Sequence, residues 1–176
     1  ITTRLVGSEM CIRDRSCSSL SKTYSITGWR LGYIIAPEEI IDRAKKVHDF
    51  LTVGCAAPLQ EAVIPGLEFG QDYYDDLLAK YTHKKDLFLK GLDDLHISHN
   101  DPEGAYYVLL DIREYGYESD LQFCKNLARE VGVGAVPGSS FFREPVNHLI
   151  RLHFAKNDDT LNEALNRLEK IQKLKK

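Results

Sequence analysis

Apolar and polar positions change period several times along the chain, and each change marks an element. Residues Cys17 to Leu20 read as the end of a buried strand. Thr23 to Thr27 make a hydroxyl-rich loop, and Gly28 lets the backbone turn. Trp29 to Ala36 alternate and then run apolar through Leu31, Tyr33, Ile34 and Ile35, as a strand in a sheet core does. Pro37-Glu38-Glu39 opens a helix, because proline suits a first turn and acids favour the positive end of the dipole. Ile40, Ile41, Ala44 and Val47 follow at helical spacing toward Phe50 and Leu51. Thr52 to Ala57 break the pattern. Pro58 begins a second helix that turns Leu59, Ala62, Val63 and Leu67 inward; Pro65 ends or kinks it, and Gly70 closes the segment.

From Asp72 the period predicts one long helix, with Tyr74, Leu77, Leu78, Tyr81, Phe88, Leu92 and Leu95 recurring at three and four and Lys84 and Lys85 pointing outward. A short strand over His96–His99, a turn at Asp101-Pro102-Glu103-Gly104 and a strong strand from Ala105 to Ile112 come next. Asp120 to Val131 predict a helix with Leu121, Cys124, Leu127 and Ala128 on one face and Gly132 as its stop. Val133 to Val136 are a short strand, and His148 to Phe154 the last one, with Leu149, Arg151 and His153 sharing a face. Asp158 or Asp159 caps a final helix packed through Leu161, Leu165, Leu168 and Ile171, and the Lys173–Lys176 tail frays.

This order suits the tail of a parallel-sheet domain (residues 16–70), a connecting helix (71–95) and a small α+β domain (96–176). Residues 1–15 show neither helical nor strand periodicity. The only methionine is Met10, the chain opens on Ile1, and residues 4–15 resemble the in-frame translation of a transposon-end adapter used in DNA sequencing libraries. They are expected to be a non-native leader, with natural sequence starting near Ser16; the competing reading is a genuine polar N-terminal strand.

Composition narrows the function. Apolar content of 43% and charged content of 28% are those of an ordinary globular protein. A net charge of −3 argues against nucleic-acid binding, which needs a basic face. No apolar run is long enough to cross a bilayer. The four cysteines lack paired spacing, so they read as reduced thiols of a cytoplasmic protein. His96 and His99 are wrongly spaced in a strand-turn to aim at one metal, and no metal site is expected. Cys55 and Cys124 read as buried thiols, His48 and His153 as packing residues, and Asp72, Asp75 and Asp76 as a solvated helix start.

The stretch that organises the chain chemically runs from Ser19 to Tyr33. It sets one lysine, Lys22, among small hydroxyl residues, with Arg30 eight positions later between Gly28 and Gly32. A desolvated lysine amine is a nucleophile toward an aldehyde, and a planar guanidinium takes phosphate oxygens two at a time. The alternative for Lys22 is a surface lysine in a Ser/Thr-rich loop. Ser-x-x-Lys followed by Gly-x-Arg resembles the fold-type I, class I/II aminotransferases, which use pyridoxal 5'-phosphate (PLP). The resemblance implies that Lys22 anchors the cofactor as a Schiff base and that Ser19 and Arg30 bind its phosphate.

The resemblance extends to the C-terminus. Ile150-Arg151-Leu152-His153-Phe154-Ala155 is similar to the family strand whose arginine clamps the substrate α-carboxylate, against the alternative of an arginine snorkelling at a sheet edge. Pro102-Glu103-Gly104-Ala105-Tyr106-Tyr107 resembles a segment near the substrate side chain, where Tyr106 is either a pocket wall or ordinary strand core. Val136-Pro137-Gly138-Ser139-Ser140-Phe141 matches a turn that closes the site through backbone shape. The implied fold is α/β: the C-terminal part of the PLP-dependent transferase architecture, ending the large parallel-sheet domain and adding the small α+β one. The implied activity is amino transfer between an amino acid and a 2-oxo acid by a ping-pong route, in a homodimer.

His48-Asp49-Phe50-Leu51-Thr52-Val53-Gly54 is similar to the kynurenine/methionine/aromatic branch. Carbon–sulfur lysis and decarboxylation stay open, since the same lysine serves them. So do the aminotransferase-like sensor domain of a transcriptional regulator and a cofactor-free binding domain. The residues that in the family pair with the pyridine nitrogen, stack on the ring and supply most of the phosphate-loop amides are not in this sequence, so the chain is expected to be a fragment without turnover.

Overall fold

The computed structural model describes residues 15–176, and the adapter-like stretch lies almost wholly outside them. The chain divides into two compact units, one up to Gly70 and one from Gln71 to Lys176.

In the first unit, β1 (Ser16–Ser19) pairs antiparallel with β2 (Gly32–Ile35), Ser16 opposite Ile35 and Ser19 opposite Gly32. Helix α1 (Glu38–Thr52) follows Pro37, and α2 (Ala57–Leu67) carries Pro58 in its first turn. Leu20, Leu31 and Val63 form the core, with Tyr24, Ile26, Trp29 and Leu59 packed half-buried against it. Several expectations are corrected here. The strand predicted from Trp29 begins only at Gly32, because Thr27–Trp29 form a 3-10 turn. That strand is exposed along its length, and β1 is only half-buried. An apolar run signals that both faces want cover, but the cover itself is a non-local matter that local pattern does not contain. Helix α2 runs through Pro65 to Leu67, so the proline forfeits one backbone bond without ending the helix. Of its predicted inward residues Val63 is buried and Leu59 half-buried, while Ala62 and Leu67 are exposed.

The second unit opens with α3 (Gln71–Asp94), which buries Phe88, Leu89 and Leu92 and leaves Leu78 exposed. The stripe is therefore a core face only over the last turns. Lys84 and Lys85 are half-buried instead of pointing into solvent: Lys84 Nζ donates to the Lys156 carbonyl, and Lys85 pairs with Asp101 at 3.5 Å. Their long stems lie along the protein while their charged ends reach acceptors. The predicted strand over His96–His99 reduces to a single bridge, His99 opposite Leu110.

A three-stranded antiparallel sheet in the order β3-β5-β4 forms the layer against this helix, from β3 (Tyr107–Asp111), β4 (Val136–Pro137) and β5 (Leu149–His153). Alternation puts Val108, Leu110, Ile150 and Leu152 into the core and leaves Tyr107, Leu109, Leu149 and Arg151 on the more open face. Helix α4 (Asp120–Asn126) widens at Leu127–Val131 into a turn closed by Gly132 N–H on the Leu127 carbonyl at 3.0 Å. Its buried face is Phe123, Cys124, Leu127 and Val131, while Leu121 and Ala128, predicted inward, are exposed.

Asn157, not Asp158 or Asp159, caps α5 (Asp158–Leu168), its Oδ1 accepting from Thr160 N–H at 3.0 Å. The two aspartates sit in the first turn, where their charge suits the dipole. The C-terminal tail does not fray. Ile171 and Leu174 are buried, and the Lys176 N–H donates to the Tyr115 carbonyl at 3.3 Å. Among the described residues no helix is long and apolar enough to cross a membrane.

Candidate active site

The loop joining β1 to β2 brings Ser19, Lys22 and Arg30 together, and Thr27 is its hub. Lys22 Nζ donates to Thr27 Oγ1 at 3.4 Å, and that hydroxyl in turn donates to the Ser21 carbonyl at 3.1 Å. Arg30 Nη1 donates to the Thr27 carbonyl at 2.9 Å. Ser19 Oγ accepts from the Ser21 N–H at 3.2 Å, and Ser21 itself is buried. Arg30 adopts a left-handed backbone (φ 57°) directly after the 3-10 turn, which swings its side chain back across the loop. Ser25, also left-handed at φ 57°, closes the opposite bend with its N–H on the Lys22 carbonyl. Leu20 and Leu31, buried at the two ends of the loop, tie this conformation to the core. Two cationic side chains thus converge on one threonine. An amine and a guanidinium so placed can together hold an anion.

Thr27 was legible only as one of several loop hydroxyls. What singles it out is a backbone with positive φ on either side of it, and local pattern does not encode that.

Arg151 lies on β5 opposite Leu109 of β3 and Val136 of β4. Its guanidinium carbon sits 4.2 Å from the centre of the Tyr107 ring and 3.9 Å from that of Phe141. Aromatic faces attract a guanidinium and cover it, while its N–H edge keeps its donors. The structure places Tyr106 beside this pair and not on the cation. Its ring stacks on Tyr81 at 5.9 Å and meets the Tyr107 ring at 4.5 Å, partly buried against the core. The aromatic contacts missed by sequence reasoning are Tyr107 and Phe141. Strand alternation holds the signal for Tyr107, since it shares a face with Arg151. The turn Gly138–Phe141 was expected to act through backbone shape, yet its Phe141 side chain reaches the cation. On the same face His153, expected to pack, is exposed; partial desolvation, then Lys156 and Arg151, hold its imidazole below its usual range.

Outside these clusters, Cys124 is buried as expected, and burial followed by the nearby Asp120 pushes its thiol up to about 11. Cys55 is exposed, contrary to expectation, with Sγ 3.9 Å from His48 Nε2. His48 is exposed too, so it does not pack; its Nδ1 lies 2.5 Å from Thr52 Oγ1. His99 faces Asn100 O and Asp93 Oδ1 with its two ring nitrogens. Among the described residues no three histidines, cysteines or acids group to hold a metal ion.

The family model described as aminotransferase class I and II matches residues 6–168. The methionine aminotransferase of Escherichia coli is 37% identical over 163 residues, covering 91% of this chain and 42% of that protein. Its crystal structure superposes with a TM-score of 0.84 over 94% of this chain and 44% of that one, at 36% identity. The N-succinyldiaminopimelate aminotransferase of Mycobacterium tuberculosis gives 0.83 over 89% of this chain and 41% of that one, at 33% identity. The chain therefore spans less than half the length of these relatives, in an α/β arrangement that matches the corresponding part of their fold. It belongs to the class I and II aminotransferases.

Proposed function

We propose that this chain contributes the cofactor-anchoring and carboxylate-binding groups of a PLP-dependent aminotransferase acting on an amino acid and a 2-oxo acid. In this reading residues 16–70 belong to the large cofactor-binding domain, 71–95 connect, and 96–176 form the small domain of a cytoplasmic homodimer. The observation that carries it is the convergence of Lys22 and Arg30 on Thr27. The donor set fits the cofactor: an amine for its aldehyde, and a guanidinium with the Ser19 hydroxyl for its phosphate.

When bound, PLP supplies an electron sink for the pair released as the substrate Cα–H bond breaks. Lys22 would anchor the cofactor through its amine, and that amine would also serve to take up and return the proton at the substrate Cα. Thr27 Oγ1 restrains that amine within the loop. Arg30 and Ser19 neutralise and orient the phosphate. Arg151 would take the substrate α-carboxylate through the N–H donors its ring contacts leave over, which fixes the direction of the Cα–H bond.

Treating the chain with PLP and then borohydride, followed by peptide mass spectrometry, tests this. Label should concentrate on the Lys22 peptide, disappear there in Lys22→Ala, and fall in Arg30→Ala or with added inorganic phosphate. Label spread evenly over the lysines, with the Lys22 peptide no richer than the rest, would overturn the reading.

A further inference from the structure

We propose that Asp120 is a positioning residue for Arg151: through Ser139 it fixes the Gly138–Phe141 turn so that the Phe141 ring is held on the guanidinium. This rests on the reading of Arg151 as the carboxylate-binding arginine. Asp120 is the first residue of α4 and is 2% exposed. Its Oδ2 accepts the Ser139 N–H at 2.7 Å, and its Oδ1 accepts the Ser139 hydroxyl at 3.1 Å and the Leu121 N–H at 2.8 Å. Two of the three bonds therefore reach one residue nineteen positions away, in the middle of the turn.

The same turn is pressed onto β5 at its other end. A Cβ on Gly138 would stand 2.4 Å from the Leu149 carbonyl oxygen, two residues before Arg151 on the same strand. The turn is thus clamped between α4 and β5, and its last residue, Phe141, lays its ring on Arg151 at 3.9 Å. Phe141 is about half exposed, so burial alone does not fix that ring where it is.

A buried carboxylate is a poor way to gain stability, since desolvation offsets what its bonds return. Its two oxygens, however, take the N–H and the O–H of one serine separately, and doing so fixes the turn's rotation as well as its distance. Holding the arginine in place before substrate arrives removes ordering entropy that binding would otherwise have to offset.

The test uses the 176-residue chain and two readouts. The first is the Arg151 Nε–H proton resonance, which ring currents move upfield. The second is the dissociation constant for pyruvate, taken from a titration followed by NMR. Phe141→Leu identifies the ring's share of the upfield shift. Asp120→Asn should remove most of that share and weaken pyruvate binding roughly five- to tenfold, the loss of about one oriented hydrogen bond. Ser139→Ala, which keeps the N–H bond and the fold, should give a smaller change of the same sign in both readouts, and it serves as the decisive variant if Asp120→Asn unfolds.

An Arg151 resonance unmoved in these variants, in a chain that is still folded, overturns the proposal even if Arg151→Lys abolishes pyruvate binding. Pyruvate binding unaffected by Arg151→Lys would instead overturn the carboxylate reading. The resonance would still decide the role of Asp120.

Discussion

At the scale of single residues, the chemistry of the second unit depends on what burial does to polar groups. The Cys124 thiol is held up to about 11, first by burial and then by Asp120. Because its folded value lies above the ordinary thiol value near 9, its contribution is complete below pH 9 and is lost as pH rises toward 11. Urea unfolding of the native chain should therefore lose up to about 2 kcal/mol more between pH 9 and 11 than unfolding of Cys124→Ala. Equal losses in the two proteins would show that the thiol ionises freely in the fold. Tyr115 presents a different case, because its ring is fully buried and its hydroxyl makes no hydrogen bond of full geometry among the described residues, with only the Glu114 carboxylate near enough to act on it. A buried hydroxyl so poorly bonded costs free energy, so Tyr115→Phe should leave the melting temperature unchanged or raise it, by up to about 1 kcal/mol of stability. A clear drop would mean that the hydroxyl is bonded after all. The burial of Cys124 could be read from the sequence, but the poorly bonded hydroxyl of Tyr115 could not, because there it looks like any tyrosine. The nearness of Lys22 and Arg30 was legible there because both lie in one short loop. The hub at Thr27 and the ring of Phe141 were not, because both depend on turn conformations set by tertiary contacts.

At the scale of elements, helix periods and strand alternation were readable wherever one face packs on the core. The alternation of β5 holds along its length, with Ile150 and Leu152 buried between Leu149, Arg151 and His153. The ends of elements were harder, since Asn157, Asp158 and Asp159 are all competent caps and only the entry angle of the chain decides among them. That choice has a measurable consequence. Asn157→Ala removes the acceptor of the Thr160 N–H and should cost about 1 kcal/mol, whereas Asp159→Ala loses only a dipole interaction of about 0.5 kcal/mol. Chemical denaturation of both variants separates the two, and a larger loss for Asp159→Ala would move the cap. The C-terminal turn was misjudged for a related reason. Its lysines suggest a solvated tail, yet Ile171 and Leu174 are buried at the spacing of a 3-10 turn and anchor it to the core.

At the scale of the whole molecule, the two units differ in how much they bury. Among the described residues the second unit gathers twenty buried side chains into one cluster, while the first has three. The first unit also leaves large apolar groups open along α1 and just beyond it, with Phe50 at 95%, Val53 at 85% and Leu51 at 76% exposure. The period of α1 announced an apolar face correctly, but whether that face is covered depends on surfaces far away in sequence. Buried apolar area is the main favourable term in folding, so the units should differ in stability by more than their lengths suggest. Hydrogen exchange should show the amides of α1 and α2 exchanging orders of magnitude faster than those of β3, β5 and the last turns of α3. Residues 71–176 produced alone should unfold cooperatively, at a denaturant midpoint close to that of the same residues in the whole chain. Uniform protection across both units would mean that the first draws stability from something other than its own core. A second unit that fails to fold alone would mean that its twenty-residue cluster is not self-sufficient.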